Sequence, residues 1–252
     1  MKSLIKKFLI SFIVLIILLL SVVQFPSLFV EKKFDYNQFA LYSNDGLELT
    51  ESVKNALDSV QSNLEQSKFH RENLKLDLYF VEGTLYEKLI GIFGMKNIAS
   101  SKFNKHIYIG KPNFNGNILK KGKSEIEWLN LIQIISHEGV HSQMYRDYSN
   151  FGMMKTPSWI NEGYSEYISY KPIRKNSNYL LSELLEKYKK TNEYWVKTEY
   201  GSMTPKLYLR DRIIMEYLID IRKMDILSII EDQTLKPEMI LEEVAEYFEK
   251  KR

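Results

Sequence analysis

The chain has 252 residues, 44% hydrophobic and 27% charged, with a formal net charge of +3 and an isoelectric point near 8.7. That is an ordinary globular balance, and the lysines are scattered among nearly as many acids, so charge gives no case for nucleic acid as a partner. Cysteine is absent, which excludes disulfide staples, thiolate-ligated zinc and a lipidated N-terminal cysteine; any metal must be held by histidine and carboxylate.

At the N-terminus, Lys2, Lys6 and Lys7 precede an apolar run from Phe8 to Val23, interrupted by Ser11 and Ser21 and ended by Gln24, Phe25 and Pro26. With Leu4, Ile5 and snorkelling lysines the run approaches the ~20 residues needed to span a bilayer. Val22-Val23-Gln24-Phe25-Pro26 offers no small-residue cleavage pattern. Residues 1–30 therefore read as an uncleaved transmembrane signal-anchor, placing residue 31 onward outside the cytoplasm at the cell membrane. The alternative is a cleaved signal and a secreted protein.

Residues 31–46 are polar with aromatics and read as a linker. Thr50 then caps a helix with Val53, Ala56, Leu57, Val60 and Leu64 at helical spacing. Leu74, Leu76, Leu78 and Phe80 alternate with Lys75, Asp77 and Tyr79, which predicts a half-buried strand over 74–81. A short helix over 84–93 and a second strand over 105–109 follow, the latter read as a sheet edge open to an extended peptide. Gly110, Pro112 and Gly116 mark a loop, dividing 31–252 into an α/β lobe over 31–122 and a helical lobe over 123–252.

Ser124 and Glu127 form a capping box for a helix with Leu129, Ile132 and Ile135 as its apolar stripe. Gly139 inside that helix costs about 1 kcal/mol relative to Ala, so it signals close packing. A loop over 148–155 leads to Thr156-Pro157, an N-cap and first-turn pair for the next helix. Further helices follow at Leu180–Tyr188, from Thr204-Pro205 through Ile221, and from Pro237. Strands come early and helices late. This is an α+β pattern, a small mixed sheet lobe followed by a mostly helical lobe.

The chemistry lies in His137-Glu138-Gly139-Val140-His141, which reads H-E-x-x-H. On a helix the two histidines share one face and can both ligate a metal, with Glu138 beside it as a general base for water. A catalytic zinc takes three protein ligands and keeps one position open. Asp147, His106 and Glu162 are candidates for the third. Asp147 lacks the glycine that would turn the chain back, and no spacing rule supports His106. Glu162, on the next helix, can arrive antiparallel to the first. His70 and His106 otherwise read as surface or strand residues, and Trp159 and Tyr167 as packing residues. Glu166 is a candidate partner for a ligating histidine.

These segments together resemble the gluzincins, H-E-x-x-H zinc peptidases whose third ligand is a Glu on the following helix. Trp159-Ile160-Asn161-Glu162-Gly163 resembles the W-x-N-E-G run of aminopeptidase N-like enzymes, and Ser165-Glu166-Tyr167 the related A-E-Y pattern of small bacterial peptidases of the clan. Tyr208-Leu209-Arg210-Asp211-Arg212 is similar to the helix whose Tyr stabilises the tetrahedral intermediate. The resemblance implies one zinc ion held by His137, His141 and Glu162, with Glu138 and Tyr208 catalytic and a peptide or protein as substrate. It departs at Gly94-Met95-Lys96-Asn97, where Lys96 replaces the amine-binding Glu of aminopeptidases, so that specificity is not implied. The expectation is a membrane-anchored, extracytoplasmic zinc metallopeptidase. The rival is a non-catalytic peptide- or metal-binding sensor on the same scaffold, for which an intact Glu138 would have no use.

Overall fold

The computed structural model describes residues 5–14, 25–92, 99–102, 106–120, 129–175, 181–198 and 202–251. The chain is α+β. Residues 5–14 are helical (α1), with exposed apolar side chains and stacked Phe8 and Phe12 rings. Among the described residues no helix is long and apolar enough to cross a membrane. The second half of the apolar run, residues 15–24, lies outside them.

The segment read as a linker instead builds the sheet. Lys32–Tyr36 (β1) and Phe39–Ser43 (β2) form an antiparallel hairpin, with Asn37 at positive φ in the turn. The aromatics that look like linker decoration, Phe34, Tyr36 and Phe39, pack on the core. Helix α2 (Glu51–Leu64) follows, and its N-cap is Thr50, whose hydroxyl accepts from Val53 N. It crosses to β3 (Leu76–Phe80), which lies parallel to β2. Helix α3 (Leu85–Ile92) and edge strand β4 (Ala99–Lys102) precede β5 (His106–Ile109). The sheet order is β1-β2-β3-β5-β4, with β3/β5 parallel and β4/β5 antiparallel.

Two expectations change here. The 105–109 strand is interior, because β4 pairs outside it; the small, polar Ala99-Ser100-Ser101-Lys102 carries no periodic signal. Strand β3 is buried on both faces rather than half-buried. Its register aligns Leu41, Leu78 and Ile107 on one face, against α2 and the helices below. Tyr42, Tyr79 and Tyr108 align on the other, covered by Val30 and Tyr86. Asp77 on that second face is buried beside His106, 3.3 Å away.

A three-stranded sheet of Lys111–Asn113 (β6), Ile118–Lys120 (β7) and Leu129–Asn130 (β8) leads into the long helix α4 (Leu131–Lys155). Ser124 and Glu127 lie outside the described residues. The helix they were expected to open starts at Leu131, where Asn130 Oδ1 accepts from Gln133 N, and Leu129 belongs to β8. The expected loop over 148–155 is the last part of α4. Helix α5 (Ser158–Lys175) turns back antiparallel after Thr156-Pro157. Then come α6 (Leu181–Lys190), the hairpin of Trp195–Lys197 (β9) with Met203–Pro205 (β10), and α7 (Lys206–Glu216) with a π-helical extension Tyr217–Ile221. Helices α8 (Ile226–Glu231) and α9 (Pro237–Glu249) complete the chain. One apolar core runs from Leu41, Leu78 and Ile107 through α2 and α4 to α5, α7 and α9.

Candidate metal centre

Helix α4 is the platform. Gly139 sits where an added Cβ would lie 2.8 Å from Leu64 Cδ2, so its bareness lets α2 approach. Asn63 of α2 donates to Ser136 Oγ beneath the motif (2.9 Å). The opposite face of α4 then presents His137 and His141, both buried, toward α5.

The three expected ligands converge. His137 Nε2 lies 3.0 Å from His141 Nε2 and 3.2 Å from Glu162 Oε2, and His141 Nε2 lies 3.4 Å from the same oxygen. Tetrahedral ligands at about 2.0–2.1 Å from a zinc ion would be ~3.3 Å apart. The donor set therefore fits a divalent ion at its centre, and these three residues form the group that could hold a metal among the described residues.

The outward ring nitrogens are also provided for. His141 Nδ1 is 2.9 Å from Asn161 Oδ1 and 3.1 Å from Ser165 Oγ. His137 Nδ1 faces Glu166 Oε1 at 3.1 Å, a contact bent away from a straight hydrogen bond. A proton on each Nδ1 leaves each Nε2 lone pair directed at the centre, which is how outer partners orient metal-binding imidazoles. The cluster is also held together by charge. Burial works against a protonated His137, but Glu162 and Glu166 outweigh it and raise its pKa well above the usual value. Burial likewise opposes ionised Glu162, and the two imidazoles overcome it and hold its carboxyl far below the usual range.

A cleft of about 440 Å³ opens over this cluster, walled by β4, α4, α5, the β9–β10 hairpin and α7. Half-buried Glu138 lines it. Tyr208 lines it too, its ring stacked on His137 at 5.8 Å between centroids and 12° between planes. Burial and the nearby Glu162 and Glu138 carboxylates raise the Tyr208 pKa, so its hydroxyl stays protonated and able to donate. Its placement depends on Gly163: a Cβ there would lie 2.6 Å from the Asp211 carbonyl oxygen, so only glycine lets α7 pack this closely on α5. Below the site Arg212 is fully buried, bonded to Glu216 (2.7 Å) and lying over Tyr170, whose ring borders the cleft.

The rejected ligand candidates are elsewhere. Asp147 pairs with Arg71 (2.8 Å), and His106 is buried in the sheet beside Asp77. Trp159 and Tyr167 are buried packing residues as expected, Tyr167 also donating to Asp220 (2.8 Å). Gly94-Met95-Lys96-Asn97 lies outside the described residues. Sequence reading missed Tyr145, which borders the cleft one helical turn beyond His141, and the orienting role of Asn161. The i+4 spacing from His141 could have pointed to Tyr145. Nothing in the β9–β10 sequence marks it as a cleft wall. Compared with known protein families, curated proteins and solved structures, the chain matches none.

Proposed function

We propose that this protein is a zinc-dependent peptidase, held at the membrane by its N-terminal segment with its catalytic domain extracytoplasmic. The observation that carries the reading is the convergence of His137, His141 and Glu162 to within 3.4 Å of one another beneath a cleft that Glu138 also lines. A zinc ion held by these residues would acidify water and polarise a carbonyl oxygen. Glu138, next to a ligand but free of the cluster, takes the proton from the attacking water and returns it to the leaving amine. Tyr208, kept protonated, donates a hydrogen bond to the developing oxyanion. The cleft has room for several residues of an extended peptide. The exposed apolar side chains of α1 support attachment to a membrane.

Glu138→Gln keeps the shape of the side chain and removes the base. The variant is expected to bind zinc as the parent does, by metal analysis, and to lose peptide hydrolysis by about 100-fold or more. Retained turnover would refute the reading. A sensor module on the same scaffold would bind metal and peptide yet hydrolyse neither before nor after the substitution.

A further inference from the structure

The β9–β10 hairpin gives the cleft an apolar wall. Its strands pair Trp195 with Pro205, Val196 with Thr204 and Lys197 with Met203. Val196 and Thr204 are buried, whereas Trp195, Met203 and Pro205, one position to either side, keep part of their surface open. These three line the cleft together with Tyr194, the residue before β9, which is 70% exposed. The rings of Tyr194 and Trp195 meet edge to face, 5.5 Å between centroids and 82° between planes. Trp195 and Met203 also pack against the core, which anchors the wall.

This wall stands close to the chemistry. Lys206 N donates to the Tyr194 carbonyl oxygen (2.7 Å), and Pro205 is the N-cap of α7, three residues before Tyr208. Three peptide units reach at most about 11 Å, and the Tyr208 ring lies on His137. A peptide held at the ligand cluster therefore brings side chains near the bond to be cut within reach of the hairpin.

A single exposed aromatic is ordinary on a protein surface. Four apolar side chains on one wall of a cleft, two of them aromatic, instead offer a place where a ligand's apolar surface can leave water. Among the described residues lining the cleft there is no lysine, arginine or aspartate, and the carboxylates Glu138, Glu162 and Glu166 belong to α4 and α5. The wall thus offers no counter-charge to an acidic or a basic side chain desolvated against it. An aromatic or branched aliphatic side chain loses the most surface there, and the two rings add edge and face contacts.

We propose that Tyr194, Trp195, Met203 and Pro205 form a specificity subsite for a bulky apolar side chain of the peptide, of the Phe or Leu type, an inference that rests on the peptidase reading above. The subsite discriminates by apolar area. Ala has too little to bury, and Asp or Lys would lose water without gaining a partner.

The test uses the full chain carrying Glu138→Gln, zinc-loaded, titrated with fluorescent peptides of one backbone in which each position in turn is Phe, Leu, Ala, Asp or Lys. At one position the Phe and Leu peptides are expected to bind about 10- to 50-fold more tightly than their Ala, Asp and Lys counterparts. Trp195→Ala should collapse that ratio. Tyr194→Ala removes a mostly exposed ring, so it should reduce the ratio by about 3-fold or more even where Trp195→Ala folds poorly. Equal affinities across the panel, a preference for Lys or Asp, no binding of any peptide, or a ratio that survives both substitutions would overturn the subsite. A uniform loss of affinity in Tyr194→Ala would also overturn it, because the ring would then be touching peptide backbone. The peptidase reading fails separately, through absent zinc or through hydrolysis that persists without Glu138. An apolar preference seen in a protein that hydrolyses nothing would leave the subsite standing and remove the enzyme.

Discussion

Asp211 is buried on α7 and bonded by Arg210 through Nε at 2.8 Å, yet it holds its proton more tightly than an ordinary aspartate. Burial is the main cause; Arg210 opposes it, and the Glu162 and Glu166 carboxylates add to it, raising the pKa from 3.8 to about 6. Because the folded state binds this proton better than the unfolded chain, the stabilisation is full below pH 3.8 and disappears as pH rises through about 6. The shift corresponds to at most about 3 kcal/mol. In metal-free protein, urea unfolding between pH 4 and 8 should show the parent losing up to that amount relative to Asp211→Asn across the window; parallel pH profiles would refute the assignment. Such residues also mark the limit of sequence reading. His137, Glu138, His141 and Glu162 were legible because a fixed spacing on a helix encodes their chemistry. Asn161, Tyr145 and the elevated Asp211 were not, because their roles arise only when α4, α5 and α7 are brought together.

At the level of elements, two glycines set how close the helices come, and they should respond differently to the same substitution. In Gly139→Ala the new methyl meets the end of the Leu64 side chain, which can turn aside, and the gain of about 1 kcal/mol in helix propensity offsets the crowding. Gly163→Ala drives a methyl into the Asp211 backbone carbonyl, which moves only if α7 moves. Thermal or urea melts should place Gly139→Ala within about 1 kcal/mol of the parent and Gly163→Ala about 1–3 kcal/mol below it. Since α7 carries Tyr208, Gly163→Ala should also lower kcat more than it raises KM. Equal costs for the two would sink this account of the packing. Periodicity located α2, α6 and α9, because each buries one apolar stripe, whereas α5, buried nearly all round, was marked only by the Thr156-Pro157 pair at its start. It failed for the β1–β2 hairpin, whose polar and aromatic residues look like a linker until β3 is available to pair with. It failed again at 148–155, which read as a loop but continues α4, with Tyr148 packed edge-on against Phe69.

Across the whole molecule, the cleft lies where the sheet, the α4–α5 pair and α7 meet, and the three candidate ligands join two consecutive helices, α4 and α5. Strand order and helix packing put His137 and His141 on one support and Glu162 on another, while α7 closes the site with Tyr208. Such a centre couples metal affinity to folding: an ion that binds only the folded chain stabilises it in proportion to the logarithm of its saturation. At a zinc concentration about 1,000-fold above the dissociation constant, that linkage is worth ~4 kcal/mol, or on the order of 10 °C in Tm for a domain of this size. Removing metal with a chelator should lower Tm by that order and abolish hydrolysis together, and added zinc should restore both. Glu162→Gln should show most of the loss in Tm before any chelator is added, because it weakens the one ligand that bridges α5 to α4. A melting temperature indifferent to chelator, in parent and variant alike, would mean that these three residues meet without holding an ion, and the enzyme proposed above would go with them.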